Sequence, residues 1–306
     1  MRYAYVTFLM RGDGYLPGAL VLGHALKLQS TYDRVCLVTA DVSDRARGAL
    51  SCVYDRVLLI SEVRTKSAVK EGRKDRNILM TRFEALRLEG YNKIVLLDAD
   101  VLPIEGYDAL FLLPAPAGII MERKEECYTG AGAGERWSWH DLYEPICPHG
   151  ARIPKEITDR VDGDDTNMGV NAGLWVLEPS QQTYDDAATY IQPPEIKERI
   201  KRFPWPEMQL ATLMWSGAWT NVDIRYASIG GYPRLDILKG VHFAGLKPWQ
   251  IKNKSAAHYA KFPDFTLWRE YFTALYWKTP QLREIPSLQK LMGFCKGNPL
   301  KTRRCP

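Results

Sequence analysis

An α/β fold, with a mainly parallel, Rossmann-like sheet flanked by helices, is what this sequence predicts. Three observations predict it. The run Lys93-Ile94-Val95-Leu96-Leu97 is apolar without alternation and stops at Asp98-Ala99-Asp100, the pattern of a strand buried on both faces. Strand-like and helix-like segments alternate along the first hundred residues, which implies βαβ units. With 306 residues and 46% hydrophobic content the chain can bury a sizeable core, in one large domain or in one domain with a small appendage.

The elements follow in order. Tyr3–Met10 is strand-like. A helical stripe at Leu16, Ala19, Leu20, Gly23 and Leu26 opens at Pro17, whose fixed φ suits a first helical turn. Residues 34–39 make a second strand, and Ser43 is placed to cap a helix running to Val53. Residues 56–60 form a third strand, 77–89 a helix and 93–98 the fourth strand. Ala117–Glu122 is strand-like. Residues 123–170 are rich in Gly, Pro and charge, have no period, and are expected as a long irregular excursion with short helices. Residues 171–177 return to strand. Residues 181–191 and 206–215 are expected as helices, 240–243 as a strand, and 264–293 as aromatic-rich helix. The tail from Lys296 is basic and expected to fray. The expected division is 1–260 for the main domain and 261–306 for helices and tail packed on it.

Net charge is +5, which favours anionic small ligands. No basic patch interleaved with aromatics appears, so nucleic acid is not expected as a partner. No run approaches a membrane span. The N-terminus lacks the apolar core of a signal peptide. With Met1 as natural start, the expectation is a cytoplasmic protein with reduced thiols. None of the six cysteines is in a CxxC spacing, so neither a disulfide framework nor a structural zinc is expected.

Four segments carry candidate chemistry. Asp98 and Asp100 at a strand end stand where open α/β sheets bind ligands. Two hard oxygens there suit Mn²⁺, or Mg²⁺, shared with a diphosphate. The loop Met10-Arg11-Gly12-Asp13-Gly14-Tyr15 has the wrong glycine spacing for a dinucleotide fingerprint but brings backbone close to a base, with Tyr15 to stack on it. Asn171-Ala172-Gly173 offers an amide for sugar hydroxyls and a glycine for close approach. His242-Phe243-Ala244-Gly245-Leu246-Lys247-Pro248-Trp249 offers a nitrogen to a metal, and a backbone N–H and an ammonium to a diphosphate. Taken singly, each of the last three is also an ordinary turn or strand end.

In this order, over residues 3–250, these segments resemble glycosyltransferase family 8, whose members have a GT-A fold, use a UDP-sugar with Mn²⁺ and retain anomeric configuration. The resemblance rests on Tyr5-Val6-Thr7, Tyr15 with Gly18 to Gly23, the DxD motif Asp98-Ala99-Asp100, Asn171-Ala172-Gly173 and the His242–Trp249 motif. It implies Asp98, Asp100 and His242 as metal ligands, with Ala99 between them. Thr7, Phe8, Leu9 and Tyr15 would hold the base. Arg82 would lie near sugar and phosphate, and Gly245 and Lys247 on the diphosphate. Asn171, Ala172 and Gly173 would contact the donor sugar. The family's acidic-Gln segment falls on Pro206-Glu207-Met208-Gln209, where Glu207 replaces the acid and Gln209 serves for the Gln only with a one-residue shift. The expected activity is hexose transfer, from UDP-glucose or UDP-galactose, to a glycan, lipid or protein hydroxyl. The alternatives are a self-glucosylating primer, with Tyr184 or Tyr190 as acceptor, and a non-catalytic nucleotide-sugar binder. Homodimers occur in the family.

Overall fold

A computed structural model describes residues 1–69, 76–121, 143–229, 235–251 and 262–297. Much of the expected excursion (123–142), the tail beyond 297, Cys127 and Cys305 lie outside these.

The chain opens with β1 (Tyr3–Leu9), α1 (Leu16–Gln29), β2 (Asp33–Val38), α2 (Asp44–Leu50) and β3 (Arg56–Leu59). Ser43 does cap α2, its Oγ accepting from Ala46 N at 3.1 Å. β4 (Lys93–Leu97) and the short β5 (Val101–Pro103) flank the two aspartates. β6 (Ala117–Ile120), α3 (Lys155–Gly163) and β7 (Val170–Leu177) follow. Then come α4 (Gln181–Tyr190), α5 (Pro194–Arg202), α6 (Pro206–Met214), β8 (Thr220–Asn221), β9 (Ser228–Ile229), β10 (Gly240–His242), α7 (Pro263–Lys278) and α8 (Pro286–Gly297).

Seven strands form one sheet in the order β3-β2-β1-β4-β7-β6-β8. β3, β2, β1 and β4 are mutually parallel, as βαβ connections require. β7 then runs antiparallel to β4, with Leu97 opposite Leu174. The sheet is thus mostly parallel but mixed. The reversal matters: the start of β7 lies beside the end of β4, which brings Asn171–Gly173 to Asp98. Residues of β1, β4 and β7 are buried almost throughout, in keeping with their unbroken apolar runs. A second sheet, β5-β10-β9, pairs His242 with Val101 and lays the C-terminal motif against the aspartate turn.

Two differences from expectation have local causes. The segment expected as a helix over 77–89 is helical over Arg76–Arg87, but of the 3₁₀ kind rather than α. Apolar residues spaced three apart mark one face of either helix, so over twelve residues the pattern does not separate them. α5 was not among the expected elements. Its signals are Pro194 at the start, Ile196 and Ile200 four apart, and Lys201 and Arg202 in the last turn.

α1 is buried on nearly all faces. α7 and α8 pack with it in one apolar core through Phe265, Trp268, Phe272 and Leu288. A second core joins β4, β7, the 3₁₀ segment and α6. The described cysteines are all free thiols. Among the described residues no helix is long and apolar enough to cross a membrane.

Candidate active site

β4 delivers Asp98 as its chain leaves the sheet, and a turn closed by Val101 N donating to Asp98 O at 3.0 Å presents Asp100 two residues later. Phe243 N donates to Asp100 O at 2.9 Å, so the β10 exit is stitched to the same turn. His242 Nε2 comes within 3.3 Å of Asp100 Oδ1 and 3.7 Å of Asp98 Oδ2. One ligand atom from each of the three lies within 4.8 Å of the others. Two carboxylate oxygens and an imidazole nitrogen, converging from two elements, are a fitting donor set for a divalent cation of the Mn²⁺ or Mg²⁺ kind.

Gly173 makes room for this arrangement. A Cβ there would stand 2.5 Å from His242 Cε1 and 2.6 Å from its Nδ1. Gly18 on α1 does the same from the other side: a Cβ would collide with the carbonyl oxygen of Ala99 and the ring of Trp249. Gly245, in contrast, has nothing within 4 Å of its would-be Cβ; its bare backbone borders open space.

Two buried cations flank the aspartates. Arg82, from the 3₁₀ segment, donates to Asp98 Oδ1 and to Ala172 O, and its guanidinium lies 5.4 Å from the Trp175 ring centre. Lys247 donates to Asp100 Oδ2, to Phe243 O at 2.5 Å and to Ala244 O at 3.1 Å. Burial pushes the Asp100 carboxyl up, but Lys247 and then His242 outweigh it and hold it well below the usual carboxylate range. Burial lowers the Lys247 ammonium, and the Asp100 charge more than restores it, leaving it above the ordinary lysine value.

All of this faces a cavity of about 1020 Å³, at the upper end for small-molecule sites and roomy enough for two substrates. Phe8, Tyr15 and Ala99 line it, as do Asn171, Ala172, Gly173, Glu207, Gly245 and the five residues above: Asp98, Asp100, Arg82, His242 and Lys247. Tyr15 is 40% exposed. It is held edge-on to Trp249 at 5.6 Å, while Trp249 Nε1 donates to Gly14 O at 3.1 Å.

Three expected residues do not line the cavity. Thr7 is buried in the sheet, its hydroxyl donating to Leu97 O at 2.8 Å, and Leu9 is fully buried in the α1 core. Gln209 is turned away. Its Oε1 accepts from Trp205 N at 3.0 Å and its Nε2 donates to Asp165 O at 2.6 Å and Asn167 O at 2.9 Å, so it pins a turn to the start of α6. Met208 faces the cavity in its place. On a helix a one-residue step rotates a side chain by about 100°, which periodicity alone could not assign here. Asn171 lines the cavity, but its carboxamide is engaged: Oδ1 accepts from Gly173 N at 2.6 Å and Nδ2 contacts Met121 Sδ at 3.1 Å.

Lining residues to which the sequence gave no role include Arg11, within the singled-out loop, and Ile78, Leu79, Met121, Met168, Trp205, Gln250 and Phe265. Arg11 is exposed and left-handed at φ 63°, a conformation non-glycine residues rarely hold. Its place one residue past a strand end was the signal available.

No family model matches the chain. Over 265 residues it is 30% identical to the uncharacterised protein R707 of Acanthamoeba polyphaga mimivirus, covering 82% of this chain and 84% of that one. It is 27% identical over 311 residues to human glycogenin-1 (94% and 74% covered). It is 26% identical over 274 residues to Arabidopsis thaliana galactinol synthase 4 (83% and 76%). The chain belongs to glycosyltransferase family 8. Its fold is the GT-A fold. The solved galactosyltransferase LgtC, in complex with donor and acceptor sugar analogs, superposes with a TM-score of 0.59 over 96% of this family 8 chain and all of LgtC, at 13% identity. The chain is accordingly a glycosyltransferase of the glycogenin and galactinol synthase type, with an Asp-Asp-His cluster able to hold a metal.

Proposed function

We propose that this protein transfers a hexose, with retention, from a UDP-sugar to an acceptor hydroxyl, using Mn²⁺ held by Asp98, Asp100 and His242. The observation that carries this reading is the convergence of those three ligands with two buried cations, Lys247 and Arg82, on one large cavity. When bound, the metal would supply Lewis-acid charge neutralisation to the diphosphate leaving group.

The chain's own residues do the rest. Tyr15 offers its exposed ring to the base from the rim. Gly245, through its backbone, meets the diphosphate, and Lys247, its ammonium held by Asp100 and two carbonyls, lends it positive charge. Lys247 and Arg82 oppose the negative charge that grows as the bond between the anomeric carbon and the phosphate oxygen breaks; this is electrostatic catalysis. The acceptor hydroxyl attacks from the face the diphosphate leaves, and its proton passes to the departing phosphate oxygen. Among the described lining residues, Glu207 is the carboxylate outside the metal set. In this reading it holds the acceptor hydroxyl. The C-terminal helices work with residues 1–260 as one unit, because α7 buttresses the base-binding wall: Trp268 packs on Trp249 at 5.4 Å.

Self-glycosylation at Tyr184 or Tyr190 is disfavoured, because both are half-buried and the Tyr184 hydroxyl donates to Glu84 at 2.8 Å.

The test is hydrolysis across a UDP-sugar panel with and without Mn²⁺, read as UDP release and intact protein mass. The expected result is metal-dependent UDP release with one sugar and no gain in protein mass. Absence of both release and UDP binding would overturn the proposal.

A further inference from the structure

The cavity has two unlike ends. One holds the carboxylates, His242, Lys247 and Tyr15. The other is formed where α6 packs on β7 and on the 3₁₀ segment, and its wall is Ile78, Leu79, Met121, Met168, Trp205 and Met208. The amides that would make this end polar are spent: Asn171 on Gly173 N and Met121 Sδ, and Gln209 on Trp205 N and the 165–167 turn. Among the described residues the carboxylate there is Glu207.

A free sugar displays hydroxyls all round its ring. Set against thioethers and aliphatic carbons, those hydroxyls would give up water without gaining partners, which is unfavourable. A flat aromatic group has no such demand. Sulfur–arene contacts and indole stacking favour it on a wall of this composition, and three methionines let the wall adapt to its outline.

Resting on the transferase reading above, we propose that the acceptor is a small molecule that carries an aromatic group beside its reacting hydroxyl, a phenol or an aryl glycoside, with Glu207 at the hydroxyl and the ring against Met168, Met208 and Trp205.

The experiment uses the full chain with Mn²⁺ and whichever UDP-sugar it hydrolyses. Phenyl glucoside and N-acetyltyrosinamide are compared with glucose, a glucose disaccharide and a cyclitol, and product mass spectra locate the new bond on a phenol or on a glycoside hydroxyl. Burial of one ring predicts kcat/KM at least about tenfold higher for the better aryl acceptor than for any free sugar. Met168→Gln is expected to raise KM for the aryl acceptor by about fivefold or more, with a smaller change in kcat. Free sugar or cyclitol used as well as the aryl acceptors, or no aryl acceptor consuming donor above the hydrolysis rate, would overturn this inference and leave the transferase reading standing. Absence of donor binding and hydrolysis would remove that reading, and this one with it.

Discussion

Single side chains decide the chemistry, and each decisive one can be tested alone. Asp98→Ala removes one carboxylate of the Asp-Asp-His cluster and strands the Arg82 guanidinium, which is buried against it. Turnover should fall by about a thousandfold, several kcal/mol of barrier, together with Mn²⁺ affinity. Calorimetric titration with Mn²⁺ and steady-state kinetics check this, and near-normal turnover would remove the metal assignment. Gln209 makes a contrasting case. Three hydrogen bonds tie it to backbone, so Gln209→Ala should cost about 1–3 kcal/mol of stability and leave Mn²⁺ affinity unchanged. A loss of kcat with unchanged denaturant midpoint would instead return Gln209 to the donor site. Much of this was legible in the sequence: the two aspartates, His242, Lys247 and Tyr15 were singled out by type and spacing. Gln209 was singled out too, but its facing was not legible, because both it and Met208 suit the start of α6 and which of them meets the cavity depends on what α6 packs against.

At the scale of elements, the site exists because two chain reversals bring distant motifs together. β7 pairs antiparallel with β4, so Gly173 O accepts from Asp98 N at 3.0 Å. β10 pairs with β5, so His242 stands opposite Val101. Glycine permits the close approach. Gly173→Ala should push the His242 ring out of reach of the aspartates and lower Mn²⁺ affinity by about 10- to 100-fold, as loss of ligand orientation does elsewhere. Titration with Mn²⁺ measures it, and unchanged affinity would exclude His242 as a ligand. The strands were readable because buried parallel strands are near-continuous apolar runs. The directions of β7 and β10 were not, because an apolar run looks the same to either neighbour.

The whole molecule couples its C-terminal helices to the site and its stability to pH. α7 closes the face of α1 and props Trp249, which in turn positions Tyr15. Trp268→Ala, at a fully buried ring, should cost about 3–5 kcal/mol and weaken UDP binding as well; thermal melts and UDP titration would show both. Between α1 and α7, His24 stacks edge-on to Tyr271 at 6.3 Å. Burial, then the Lys278 and Lys27 charges, lower its imidazole below the ordinary value of 6.5. Burial lowers His149 too, outweighing the Asp223 charge, which raises it; its Nδ1 accepts from Asp223 N at 3.1 Å. Folding therefore favours both as neutral rings. The unfolded chain binds more protons below about pH 7, so stability should fall as pH drops below the ordinary imidazole range. His24→Gln should flatten that decline in a series of melting temperatures, and an unchanged slope would exclude His24 as a cause.

By itself the sequence determined the fold class, the order of the main strands and helices, the family, and the residue types of the metal and diphosphate end, because those are written in local composition and spacing. Only the tertiary structure decided which side of α6 faces the cavity, that Thr7 and Leu9 are buried in the frame, that Gln209 spends its amide on backbone and Asn171 on Gly173 N and the Met121 sulfur, and that the far wall is thioether and indole. Those outcomes depend on which strand lies beside which and in what direction. Packing between segments far apart in the chain settles that, and no local pattern records it.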